Sequence, residues 1–166
     1  MKKLIFTLTG SFLLVSAIGQ THVGGGIYTS TTWARVNSPY IVDTNIVVFP
    51  GVTLTIEPGV VVKFSDNQIL QIRQAQLIAN GTITDSIIFT SNSLTPAPGI
   101  YTGLHADEGY GSQISYCHFE YATSIYGGDA ITHSTATYNV DGLFALNLID
   151  SCIVKYCTGQ GAGGHD

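Results

Sequence analysis

Residues 50–64 read PGVTLTIEPGVVVKF, and apolar and polar positions alternate through them with a period of two. Val52, Leu54 and Ile56 share one phase, with Thr53, Thr55 and Glu57 on the other. Val60, Val62 and Phe64 then alternate with Val61 and Lys63. Such alternation marks short strands that bury one face. Pro-Gly introduces each run, whereas a two-residue hairpin favours Asn-Gly or Asp-Gly, whose turns match strand twist. Neighbouring strands of a parallel sheet cannot be joined by a tight turn. The two strands are therefore predicted to be successive sides of one coil, with Pro-Gly at the bends.

The pattern recurs. A displacement of 23 residues lays IVVFPGVTLTIEPG (46–59) over ILQIRQAQLIANGT (69–82). Ile46 then falls on Ile69, Phe49 on Ile72, Val52 on Ala75, Leu54 on Leu77 and Ile56 on Ala79, and the second Pro-Gly falls on Asn80-Gly81. Beyond that corner a displacement of 25 sets Val62 on Ile87 and Phe64 on Phe89. Coils of this length with three sides predict an all-β fold, a right-handed parallel β-helix of about five coils. Its coils would hydrogen-bond ~4.8 Å apart, with inward side chains stacked in columns.

Further along, ISYCHFEYA (114–122) returns 35 residues later as IDSCIVKYC (149–157). In that register Cys117 and Cys152 share a column, and adjacent coils would bring their Cα atoms into the ~4.4–6.8 Å range of a disulfide. Whether they bond is left open by the sequence. A spacing longer than one coil predicts an inserted loop between Tyr126 and Phe144. A second loop is expected at SNSLTPAPG (91–99), which is rich in turn residues. The three cysteines are an odd number without CxxC or zinc-ligand spacing, and they read as small buried hydrophobes.

The N-terminus changes the picture of where the chain resides. Lys2 and Lys3 precede the apolar stretch 4–18, and Ala17 and Gly19 supply small residues before Gln20. This is the layout of a secretory signal peptide over residues 1–19. The stretch is short of the ~20 predominantly apolar residues of a membrane span, and nothing later is long and apolar enough. Export is therefore predicted, with a single domain over 20–166. That domain keeps only Arg35, Lys63, Arg73 and Lys155 as cations, against 11 acidic residues. Nucleic acid, whose binding needs clustered cations, is excluded as an expected partner.

TTWARVNSPYIVDTNIVVFPGVTLTIEPGVVVKF, followed by LIANGT and IIFTS, resembles the N-terminal part of secreted bacterial right-handed parallel β-helix proteins. These are common among Bacteroidetes and related in fold to pectate lyases. Trp33 stands where that family carries a Trp in its opening strand, and ISYCHFEYA is similar to the coil that follows. The resemblance spans 31–122 and is looser over 127–166. It implies the fold and a secreted or cell-surface setting. It does not select a function, because lyases and adhesins share such scaffold coils. Members usually run longer, so the domain is expected to be an N-terminal fragment, incomplete at its C-terminus, able to self-associate through an uncapped last coil.

Candidate chemistry is sparse. A lyase of this fold needs carboxylates around Ca²⁺ and an Arg or Lys base. The nearest acidic pair is Asp107-Glu108, whose side chains point to opposite faces in a strand, and Arg73 would stand beside them only if coils align. Asp85, Asp129, Asp141 and Asp150 are each isolated, without the paired carboxylates ~6.5–9.5 Å apart of an inverting glycosidase. His22, His105, His118, His133 and His165 lack HxH or HExxH spacing, and alternation from Ile114 points His118 inward. No GxSxG occurs, and Cys117 has no identifiable base. What remains is surface: tyrosines crowd the corners, and exposed Tyr can stack on sugars and bond their hydroxyls. The predicted contact surface is Tyr101, His105, Asp107, Glu108 and Tyr110. The resulting reading is a secreted or cell-surface scaffold for binding or display, without catalysis or cofactor of its own, with polysaccharide or a cell-surface glycan as the expected partner. The alternative is part of a polysaccharide lyase or glycoside hydrolase, with Ca²⁺ entering only there.

Overall fold

The computed structural model describes residues 19–164, so most of the predicted signal peptide, and His165, lie outside the described residues. Each short alternating run forms a strand because it has one apolar phase to hide. Strand β1 (Thr21–Ile27) leads into β2 (Thr31–Trp33) and β3 (Tyr40–Val48), and β3 bends at exposed residues 43–45 to serve two sides of the first coil. The second coil is β4 (Thr53–Ile56), β5 (Val61–Phe64) and β6 (Ile69–Arg73). The third is β7 (Gln76–Asn80), β8 (Ile87–Ser91) and β9 (Tyr101–Glu108). There follow β10 (Gln113–Ser115), β11 (Cys117–Glu120) and β12 (Ala122–Tyr126), then β13 (Ala130–Thr132), β14 (Thr135–Thr137) and β15 (Leu143–Ala145). The last coil is β16 (Leu148–Asp150), β17 (Ile153–Lys155) and β18 (Ala162–Gly164).

Every strand pairs in parallel with its counterpart one coil away. β2, β4, β7, β10, β13 and β16 form a 6-stranded sheet, side one. Side two (β5, β8, β11, β14, β17) and side three (β6, β9, β12, β15, β18) meet at β3 in a 12-stranded sheet, with β1 alongside β3. The fold is a parallel β-helix, with six coils where about five were predicted.

Its core is three inward columns. Trp33, Ile56, Ala79, Ile114 and Ile131 line side one. Tyr40, Val62, Phe89, Phe119 and Ala136 line side two, and Ile46, Leu70, Leu104, Ile125 and Leu143 line side three. Rings stack between coils, Phe64 on Tyr101 at 4.4 Å and Phe89 on Phe119 at 4.9 Å. Burial of each such side chain is worth about 1.5–3 kcal/mol.

The predicted register needs three corrections. Side one keeps the 23-residue step, with Leu54 on Leu77 and Ile56 on Ala79. On side three Ile46 lies on Leu70 and Val48 on Ile72, one residue from the prediction, so Leu70 and Ile72 point inward. The corner before β6 holds left-handed Asn67, φ 64°, and takes up the extra residue. On side two Val62 lies on Phe89 and Phe64 on Ser91. The corner before β8 is wider than the alignment allowed, and it is pinned where Thr82 Oγ1 accepts from the Asp85 amide and Ser86 Oγ donates to the Thr82 carbonyl.

The third correction concerns the 35-residue repeat, which spans two coils. His118 lies on Thr135, and Thr135 on Ile153. The segment ITHSTATYN (131–139) is an intervening copy, with Ile131, Ser134 and Tyr138 in the places of Ile114, Cys117 and Tyr121. Between Tyr126 and Phe144 the chain forms β13 and β14 in place of the predicted loop. The loop expected near 91–99 does protrude, and Leu94 at its tip is 100% exposed. Cys117 and Cys152 share a column, but Ser134 sits between them. Two steps of ~4.8 Å exceed the ~6.8 Å Cα limit for a disulfide, and all three cysteines are free.

These later coils are short because each of two bends is a single left-handed residue. Tyr116, His133 and Ser151 turn the chain from side one to side two; Tyr121, Tyr138 and Tyr156 turn it from side two to side three. In the fifth coil the residue after each bend carries a small polar side chain that repairs the broken ladder. Ser134 Oγ accepts from the Cys117 amide, and Asn139 Oδ1 accepts from the Ala122 amide at 2.8 Å. Among the described residues no buried side-chain nitrogen or oxygen lacks a partner.

Candidate binding surface

Strand β9 separates the predicted contact residues by its own alternation. Tyr101 is fully buried and donates its hydroxyl to the Phe89 carbonyl at 3.4 Å. Desolvation, and secondarily Glu120, push its phenol pKa up. It is a core residue, and its ring has no face to offer a ligand. His105 lies on the outside of side three in a column with Gln71, Tyr126 and Phe144. Its Nε2 is 3.0 Å from Ser124 Oγ, and its ring meets Tyr126 edge-on at 4.9 Å. Asp107 falls between Ala106 and Glu108 in β9. Glu108 is exposed and is the register partner of Arg73. Tyr110, beyond the strand end, is 73% exposed.

The coils therefore do align Arg73 with Glu108, at the corner between sides three and one. Two adjoining hollows meet there at Gln74. One, of about 220 Å³, is lined by Phe49, Pro50, Arg73, Gln74 and Glu108. The other, of about 380 Å³, is lined by Gly51, Thr53, Gln74, Gln76 and Tyr110 among others. Together they make an open groove around that corner. The corner exists because Gly51 (φ 78°) and Gln74 (φ 47°) adopt left-handed turns. Side-chain bonds tie successive coils: Thr53 Oγ1 donates to Gln76 Oε1 at 3.4 Å, and Gln76 Nε2 to the Gly111 carbonyl at 2.8 Å. Tyr28, 69% exposed, stacks on Phe49 at 4.5 Å and extends the apolar wall.

Chemically the groove offers rings, amides, a hydroxyl, one cation and one carboxylate. Among the described residues the ion pairs are His22–Asp43 and Arg35–Asp85, so Arg73 and Glu108 face solvent side by side without closing one. No group of three or more His, Cys, Asp or Glu gathers among the described residues. Of the predicted set, Glu108 and Tyr110 come together and Tyr101 and His105 stand apart. Gln74, Gln76 and Phe49 were missed. Their signal lay in the 23-residue step, which carries Pro50-Gly51 onto Arg73-Gln74. His118, expected inward, is exposed on side two, because the left-handed bend at Tyr116 resets the alternation counted from Ile114.

A family model described as a pectate-lyase like beta helix domain matches residues 25–138. Over 72 residues the chain is 40% identical to Protein bark beetle of Drosophila melanogaster, a match that covers 43% of this chain and 2% of that protein. The chain thus spans a very small part of that relative's length. No solved structure matches.

Proposed function

The chain belongs to the pectate-lyase like β-helix domains, and from that premise we propose that it is an exported scaffold, secreted or held at a bacterial cell surface, that binds or displays and does not itself catalyse. The observation that carries this reading is the corner groove. Its Tyr110 ring and its Thr53, Gln74 and Gln76 polar groups suit a hydroxyl-rich ligand such as a polysaccharide or cell-surface glycan. The Arg73–Glu108 alignment is the observation that favours the second reading, a segment of a Ca²⁺-dependent polysaccharide lyase. A glycan array with the full chain, repeated with Tyr110→Ala and paired with an assay for unsaturated uronate, tests both. Hits that fade in the variant, without uronate release, are expected. Ca²⁺-dependent uronate release would replace scaffold with lyase.

A further inference from the structure

The outward face of side two carries a second, unassigned surface in coils four to six. Tyr121, Tyr138 and Tyr156 stack at 5.7 and 5.1 Å, with ring planes within 14° and 12° of parallel. At the opposite bend Tyr116 stacks on His133 at 4.8 Å. Left-handed bends favour Gly, Asn or Asp, so bulky rings there are sterically costly and need a reason. Stacking between coils is one reason, but Phe would supply it. The rings become more exposed along the ladder, 43% at Tyr138 and 69% at Tyr156, and their hydroxyls make no hydrogen bond among the described residues.

We infer that this tyrosine ladder is a binding surface for a neutral, extended, β-linked glycan chain lying parallel to the stack axis, one sugar per coil. The rings recur every 5.7 and 5.1 Å, and an extended β-linked hexose chain advances by a comparable distance per sugar. The stacked rings turn their edges and phenol hydroxyls outward, so each rung offers a donor and acceptor to the hydroxyl rim of a pyranose and a flat edge for van der Waals contact. Between the ladders stand Thr135 and Thr137, further hydroxyls on the same face. Glu120 and Lys155 share one column across Thr137, so the strip carries opposite charges and no cluster of either sign. A neutral ligand fits that balance better than a polyuronate does.

The test is calorimetry of the full chain with β-1,4-linked gluco-, xylo- and N-acetylgluco-oligosaccharides of increasing length. Affinity for one series should rise from disaccharide to trisaccharide and then level, since the ladder has three rungs. Tyr138→Ala should weaken the trisaccharide about tenfold, with Tyr138→Phe intermediate. Tyr156→Ala, at the exposed end, gives the same direction with the least risk to folding, checked by circular dichroism. Absence of binding, affinity independent of length, or binding indifferent to both alanine variants overturns the inference. Loss on Tyr110→Ala with none on Tyr138→Ala assigns the sugar to the corner groove instead. If Tyr138→Ala abolishes concentration-dependent dimerisation in sedimentation while sugars do not bind, the ladder faces protein and the inference fails.

Discussion

Cys117 does with a thiol what Ser134 does with a hydroxyl one coil later. Each donates to the carbonyl two residues back, Cys117 to Ser115 and Ser134 to Thr132, and Cys152 repeats the bond to Asp150. Full burial pushes the Cys117 thiol pKa up, and partial burial pushes up that of Cys152. Native protein at pH 8 should therefore leave Cys117 unmodified by iodoacetamide until urea unfolds it, as mass mapping would show. The linkage has a definite sign. A thiol held protonated in the fold contributes stability fully present below the unfolded value of about 8.5, and that stability is lost as pH rises. Urea melts should show the wild type losing roughly 2 kcal/mol more than Cys117→Ser between pH 7 and 10. Tyr101 adds its own loss only above about pH 10 in both proteins. Gly103 makes a different demand: its φ is 132°, and a Cβ there would press on the Ser124 backbone oxygen. Gly103→Ala should cost roughly 1–3 kcal/mol, read from the same melts.

At the element scale the short coils depend on the side chain that comes directly after a one-residue bend. Asn139 is fully buried, accepting from Ala122 and donating to the Phe119 carbonyl. Asn139→Ala removes the partner of the buried Ala122 amide and should cost about 1–3 kcal/mol. Asn139→Asp keeps the acceptor but loses the donor to Phe119, and should fall below wild type as well. The same bends explain what was legible in the sequence. Strands β4 and β5 could be read from alternation because Pro50-Gly51 and Pro58-Gly59 keep the buried phase across the corner. Past Tyr116 each αL residue resets that phase, so His118 was placed inside while it stands outside. The middle copy ITHSTATYN escaped because Ser134 stands in the column of Cys117 and Cys152, and Asn139 in the place of Ala122 and Cys157. The exchanged groups are equivalent as hydrogen-bonding or space-filling elements, not in hydropathy. Tyr110 and Glu108 were legible as corner residues, whereas Gln74 was signalled only by the 23-residue step that lays it on Gly51.

The molecule as a whole tolerates unequal coils because only the strands must stay in step. Coil spacing is 23 residues between β4 and β7, 35 between β7 and β10, and 17 between β11 and β14. The excess of the third coil sits in the corner before β8 and in the loop between β8 and β9, outside the columns. Loop length enters stability only logarithmically, about 0.6 kcal/mol per doubling. Replacing residues 93–98 with a short Gly-Asn connection should therefore shift stability by less than about 1 kcal/mol, since exposed Leu94 contributes nothing to the core. One glycine inserted within β14 is the opposite case. It adds a single residue, yet it moves Ala136 out of the column it shares with Phe119 and Val154 and turns Thr137 inward. Paired melts of the two variants should show the larger change to be harmless and the smaller one to abolish cooperative unfolding of the last three coils. If both melt alike, the columns are not what holds the stack together.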